Sequence, residues 1–418
     1  MRLLRSARND MFLFYWCCLD SIIAQLAVQQ KHSCEACARF LLSIRISIAI
    51  DGEWMMRSGL QGVGIVLFGA MSFAAIAHEA TSPIMPVVDG YTGWETKKRT
   101  LSEANELPIW QLPNVDRAVE SYFSPDSKQL IFYAKSKASE AYHINIASID
   151  GRSVREINDV GNDACSFFFP DNKRVVFTST MDNMDMPRGN WSKVGDYPQG
   201  AELYTANVDG SNVKRLTNNR QYDAEVSVSP DGEWVLFTRE TNGMLDLWRV
   251  RPDGSDEIQV THTPDMQEGG AFYMPDSETI IFRAWSKAKE HDRNRGMDIY
   301  TVKHDGSELT RITNDGQVNW APYPAPDGRH FAFAKMLPPY NFEIYMMDIV
   351  SGKQTRLTTS AAFDGFPSIS PDGQLLSFSS SRSADKGSRK LTIFLMDISS
   401  LGVAAIEVAA PQVALQAF

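Results

Sequence analysis

Asp163, Asp223, Glu268, Asn319 and Asp364 share one place in a recurring frame: each stands seven residues before the proline of a Pro-Asp pair. Four carboxylic acids and an amide held at equal radius and height could share protons or a cation. Like charges at close range raise one another's pKa, and a ring of hard oxygen ligands suits calcium or magnesium. Glu225, two residues past Asp223, would join them. The first copy breaks the pattern with Ala118, flanked by Asp116 and Glu120. The bland alternative is that each acid bonds the backbone of its own turn, as Asp does readily. At the level of sequence both readings stay open.

The elements that must position these residues are the repeats. Pro-Asp recurs at Pro125-Asp126, Pro170-Asp171, Pro230-Asp231, Pro275-Asp276, Pro326-Asp327 and Pro371-Asp372, in steps of 45, 60, 45, 51 and 45 residues. Three equal steps and two lengthened ones describe a single unit with insertions. After each pair comes a turn residue, Gly232, Gly328 and Gly373 in three copies, that suits a tight hairpin. A hydrophobic strand ending in Phe132, Phe177, Phe237, Phe282, Phe333 or Phe378 follows. Next come a variable loop, a third strand such as Glu202-Leu203-Tyr204, an Asp-Gly turn and a polar strand such as Lys214-Arg215-Leu216-Thr217. Four short strands per unit of about 45 residues predict an all-β, six-bladed propeller of four-stranded antiparallel blades.

The sixth unit ends at Thr392–Asp397 without an outer strand, so a terminal strand must close the ring. Lys97–Ser102 resembles the other outer strands and is the favoured candidate, against Val403–Val408.

Two segments, Asp209-Gly210-Ser211-Asn212-Val213-Lys214-Arg215-Leu216-Thr217 and Ile369-Ser370-Pro371-Asp372-Gly373, are close to the repeat consensus of the TolB family. The resemblance covers about residues 95–400 and implies the six-bladed ring. Tyr222-Asp223-Ala224-Glu225, Asn319-Trp320-Ala321-Pro322 and Phe363-Asp364-Gly365-Phe366-Pro367 resemble a branch of uncharacterised secreted propellers. About 38 residues separate His78 from the first inner strand near Asp116, too few for the separate α/β domain of TolB itself. Docking with the Tol–Pal envelope system is therefore not the expected role.

The predicted domains are a doubtful extension at 1–54, a signal peptide at 55–77, an N-terminal segment at 78–115 with the ring-closing strand, the propeller at 116–400 and a tail at 401–418. The signal rests on the apolar run Leu60–Ala77, Arg57 before it, and Ala75-Ile76-Ala77 as a cleavage site. Met55 or Met56 would start such a signal, and no Cys follows it to carry a lipid. Cys17, Cys18, Cys34 and Cys37 lie in the extension, which leaves Cys165 alone in the mature chain, read as a packed thiol. Net charge is −10, and beyond residue 77 there are 34 Lys and Arg against 46 Asp and Glu. Such a balance argues against nucleic acid.

The long loops all follow second strands, on the face where inner strands begin. They carry Trp191 and Tyr197 in blade two, Arg283, Trp285 and Arg295 in blade four, Lys335 and Tyr340 in blade five, and Arg382 in blade six. Loops held by a rigid scaffold are where binding residues concentrate. No Gly-x-Ser-x-Gly elbow, His-Glu-x-x-His or phosphate loop occurs. Oligogalacturonate lyases share a Pro-Asp propeller but use channel histidines for metal, whereas His143, His262, His291, His304 and His330 recur at no common inner position.

The sequence therefore reads as an exported, periplasmic or secreted, monomeric module without catalysis. It would bind a protein, peptide or glycan at a channel mouth formed by Asp163, Asp223, Glu225, Glu268, Asn319, Asp364, Arg283, Trp285 and Lys335. Neither nucleic acid nor a membrane span of the mature chain is expected. The alternative is a lyase or hydrolase acting on polysaccharide or peptide, with a divalent cation, calcium or magnesium, in the acidic mouth. N-terminal sequencing of the exported protein should begin near His78; a product that retains residues 1–54 would contradict the cleavage.

Overall fold

The structure is a computed structural model and describes residues 105–136, 140–292, 295–385 and 390–405. The chain divides into units at 1–86 and 87–418, and the described residues belong to the second. They form six antiparallel four-stranded sheets, one per repeat. The innermost strands are Ala118–Phe123, Asp163–Phe168, Tyr222–Val228, Met266–Tyr273, Asn319–Pro324 and Asp364–Ile369. Each packs beside the innermost strands of its neighbours, and that of blade one packs against that of blade six. The ring is thus closed and encircles a central channel.

Each Pro-Asp pair builds the hairpin between first and second strands. The aspartate accepts from the backbone N–H two residues on, as Glu233 donates to Asp231 at 3.0 Å and Gln374 to Asp372 at 3.0 Å. In three copies the preceding serine donates to the same carboxylate: Ser124, Ser229 and Ser370 at 2.6, 2.6 and 2.5 Å. The residue after the aspartate takes a positive φ in every blade, whether Ser127, Asn172 and Ser277 or Gly232, Gly328 and Gly373. An Asx turn that fixes the left-handed residue explains why this dipeptide punctuates the chain.

The polar outer strands are bound by a second recurring device. Thr217, Thr261, Thr313 and Thr358 each accept from the backbone N–H of a third strand, at Leu203, Leu247, Ile299 and Ile344 (2.8–3.0 Å). In blades two, four and five an arginine two residues earlier bonds the carbonyl of that threonine. Its guanidinium also reaches an acid within the first three residues of the third strand: Arg215 to Glu202, Arg311 to Asp298 and Arg356 to Glu343. These short edges carry little apolar surface, so hydrogen bonds hold them in place.

Packing between blades follows from the second strands. Phe132, Phe177, Phe237, Phe282, Phe333 and Phe378 are all fully buried. Four of them face an aromatic ring of the third strand, as Phe177 faces Tyr204 at 5.9 Å and Phe378 faces Phe394 at 5.8 Å. No blade could bury these rings alone.

An N-terminal strand closes the ring, but not at the residues expected. Ile109–Gln111 pairs antiparallel with Thr392–Asp397 as the outermost strand of blade six. Lys97–Ser102 lies outside the described residues. Val403 follows a short 3₁₀ turn and is in no strand, and residues 406–408 also lie outside the described residues. The strand that closes the ring is apolar, with Ile109 and Trp110 buried, because a core position in blade six had to be filled. Its residues do not match the polar outer strands of the other blades. Phe237→Ala should destabilise the propeller by about 3–5 kcal/mol through transfer and cavity terms. Urea denaturation checks this, and a loss below about 1 kcal/mol would contradict the burial of this ring between blades.

Candidate ligand-binding site

Every innermost strand carries a β-bulge, and the bulge decides which side chain enters the channel. Pairing with the second strand shifts register within each one, for example between Ala224 and Ser227 and between Gly269 and Phe272. The residue five before the Pro-Asp proline has a positive φ in all six blades: Glu120, Cys165, Glu225, Gly270, Ala321 and Phe366, between 32° and 57°. An extra residue in a left-handed conformation turns the strand and re-aims its side chain. All six residues line one cavity of about 520 Å³ on the loop face.

Two residues further along, the channel is plugged. Tyr122, Phe167, Phe272 and Tyr323 stand three before the proline and meet ring to ring at 4.9–6.1 Å. Ser227 and Ser368 take the other two places and donate to the Ala271 and Ser121 carbonyls of neighbouring blades. The cavity is therefore a blind recess with an aromatic floor. Its walls are also aromatic and come from strands as well as from the blade-two insertion that carries Trp191 and Tyr197. Tyr197 stacks on Tyr222 at 4.5 Å, Trp320 meets Phe366 edge-on at 4.4 Å, and Trp191, Trp285, Phe342 and Phe363 complete them.

Three of the residues expected at the mouth, Glu225, Arg283 and Trp285, line this cavity. Glu225 accepts from Arg283 at 2.6 and 3.1 Å, from the Gly270 N–H at 2.7 Å and from Thr238 at 3.0 Å. Arg283 holds its carboxyl below the ordinary range despite burial. The ion pair lies across the backbone of blade four. A Cβ on Gly269 or Gly270 would collide with it, which accounts for the glycine pair. Arg283 and Trp285 project from the second strand, Thr279–Ser286, and not from a loop.

Asp163, Asp223, Glu268, Asn319 and Asp364 do not converge. Each is fully buried in a separate node at the start of its own blade. Asp163 accepts from Asn158 and from the Ile144 N–H. Asp223 is clasped by Arg239 through two bonds of 2.7 Å, with Glu257 on the far side of the guanidinium. Asp364 is clasped by Arg382, which also grips Glu106 at 2.7 and 2.8 Å and so ties the N-terminal segment to blade six. Glu268 accepts from Thr261 and Thr263, and Asn319 donates to Thr313 and Asp315. Lys335, on the second strand of blade five, bonds Asp315 and Gln354. Among the described residues no three of His, Cys, Asp and Glu gather so as to hold a metal ion.

Besides Glu225 the cavity is lined by Asp292 and by Glu120, which the sequence showed only as a neighbour of Ala118. For Glu120 the surroundings are unusual. Tyr122 donates to it at 2.8 Å, the Cys165 thiol lies 3.5 Å away, and burial pushes its pKa up to about 7. Cys165 is buried as expected, but at the cavity wall.

No family model matches the chain. Segments of it resemble curated proteins. A dipeptidyl-peptidase 5 of Porphyromonas endodontalis is 24% identical over 273 residues, 54% of this chain and 38% of that protein. A TolB homolog of Chlorobium chlorochromatii is 28% identical over 136 residues, 32% of this chain and 28% of that protein. The described residues of this chain close into six four-stranded blades. The protein is a TolB-like propeller. The solved TolB of Acinetobacter baumannii has a likeness of fold at TM-score 0.49 and 19% identity, over 65% of this chain and 64% of that one. The chain spans less than half the length of the curated relatives it matches.

The blade nodes give this TolB-like propeller a pH signature. Burial raises Asp163 and Glu268 to about 7. A carboxyl whose folded pKa lies above its unfolded value favours the folded state when protonated. Its contribution is complete below the unfolded pKa and is lost as pH rises through about 7. Glu268→Gln should therefore lose less stability than the parent between pH 5 and 8 in urea titrations. Parallel losses would contradict the assignment.

Proposed function

We propose that the protein is an exported, non-catalytic binding module that takes part of a protein, peptide or glycan ligand into the blind recess at its loop face. The observation that carries this reading is the recess itself. It has a volume of about 520 Å³, within the usual range for ligand sites. It is floored by four packed rings and walled by aromatics of the strands together with Trp191 and Tyr197 on an insertion that the repeat does not need. Aromatic faces supply large contact area at low entropic cost and serve peptide side chains and sugar rings alike.

The chemistry in the recess favours binding over catalysis. Glu225 is fully engaged by Arg283, Gly270 and Thr238. Glu120 has beside it the Tyr122 hydroxyl and a thiol that burial pushes well above its ordinary pKa, so neither is an activated nucleophile. Among the described residues no helix is long and apolar enough to cross a membrane. Export rests on the apolar run at 60–77 and its cleavage motif, which lie outside the described residues.

Peptide and glycan arrays probed with the mature protein should yield ligands whose capture falls at least about tenfold in Phe366→Ala and Tyr197→Ala, a loss of 1.4 kcal/mol or more. Capture unchanged by both substitutions, with melting temperatures retained, would place binding elsewhere and overturn this reading.

A further inference from the structure

We infer that the recess is specific for a primary ammonium group at the end of an unbranched alkyl stem, with Glu120 as the counter-charge and the aromatic walls around the stem. This rests on the reading of the recess as a ligand site and names the chemistry of what enters it.

Two of the carboxylates that line the recess differ in their partners. Glu120 and Glu225 occupy equivalent bulges in blades one and three and face the same space. Glu225 has a guanidinium in bidentate contact. Glu120 makes no ion pair with any described residue; its neighbours are the Tyr122 hydroxyl, the Cys165 thiol and the Ser379 hydroxyl, which bonds its backbone N–H. A carboxylate in an aromatic enclosure without a cation is a site short of one positive charge. A ligand ammonium would supply that charge and meet ring faces on its way in. Cations are stabilised over such faces, and more so when desolvated. Charge-assisted hydrogen bonds to the carboxylate would fix the end of the stem.

The surroundings also weigh against other ligand classes. An anion would be repelled by Glu120 and would find Arg283 already engaged, which leaves it only Arg295, itself bonded to the Glu290 carbonyl. A branched or bulky head would meet the plug of Tyr122 and Phe272 beneath Glu120. A lysine side chain and a free alkylamine share the required chemistry, and the test separates them.

Binding should depend on pH through Glu120; the other charged side chains of the recess are Glu225, Arg283, Asp292 and Arg295. Of the groups that face Glu120, Tyr122 and Tyr133 on blade one and Cys165 on blade two are pushed well above their ordinary values by burial and stay neutral. Glu225 on blade three and Arg283 on blade four are held ionised by each other. An ammonium binds the ionised carboxylate, so affinity should rise as pH passes upward through about 7, where Glu120 loses its proton.

The test is calorimetric titration of the mature protein with N-α-acetyl-lysine methylamide, its ε-acetylated derivative, cadaverine and N-acetylglucosamine. Three proteins are compared: the parent, Glu120→Gln and Phe366→Ala. The expected result is that the parent binds an ammonium probe at least about tenfold tighter than the acetylated derivative, the minimum expected of one buried charged hydrogen bond. Glu120→Gln should abolish that preference and the rise in affinity from pH 6 to 8, while Phe366→Ala should weaken all probes. Capped lysine above cadaverine identifies a polypeptide source, and the reverse a free amine. Equal binding of charged and acetylated probes, or a preference that survives in Glu120→Gln, overturns the inference. If only N-acetylglucosamine or the acetylated probe binds, and Phe366→Ala weakens it, the ammonium claim falls while the recess stands as a ligand site. If no probe binds and array capture is indifferent to Phe366→Ala, both fall.

Discussion

The structure depends on one backbone constraint applied six times: a left-handed residue five places before each Pro-Asp proline. A flat strand would carry the pleat uninterrupted along the channel wall. The bulge inserts one residue and turns its side chain inward, leaving the residue two places earlier to face its own blade. Five of the six bulge residues are not glycine, and a left-handed conformation costs each of them about 1–2 kcal/mol. No local preference of Glu, Cys, Ala or Phe selects that conformation. The closed ring imposes it, because six innermost strands must bend together around a narrow axis.

The division of labour along the strand follows. The residues before the bulge anchor five of the blades, by carboxylate and arginine in blades three and six and by hydroxyls or amides in blades two, four and five; blade one has Ala118 there. The bulge residues line the recess. The residues after it are rings that seal the channel, with two serines stitching neighbouring blades where rings would not fit. The recess and the blade anchors thus use neighbouring positions of one strand without competing, and the loops after second strands are free to add to the walls.

Much of this was legible in the sequence. Six Pro-Asp pairs at near-equal spacing, six buried phenylalanines and the Asp-Gly turns were all where the repeat placed them, since each reports a local geometry with a strong residue preference. Two things were not legible. Period-two alternation puts Asp163 and Cys165, or Asp223 and Glu225, on one face, and so points both at the channel; the bulge separates them and leaves no mark in residue type. The second was Ile109–Gln111, whose outer-strand role is disguised by apolar residues that serve the core of blade six. Gly269-Gly270 was the available hint. A glycine pair in an inner strand signals close approach of another group, here the guanidinium of Arg283 against Glu225.

If the recess is a ligand site, the six bulge residues line its wall above the aromatic floor. A crystal structure of the mature protein with a ligand selected from the arrays tests it most directly. The account predicts density within the recess, in contact with Phe366 and within hydrogen-bond distance of Glu120. A ligand seated on the opposite face, over the Pro-Asp turns, or only on the rim beside Asp223 and Asp364, would contradict it.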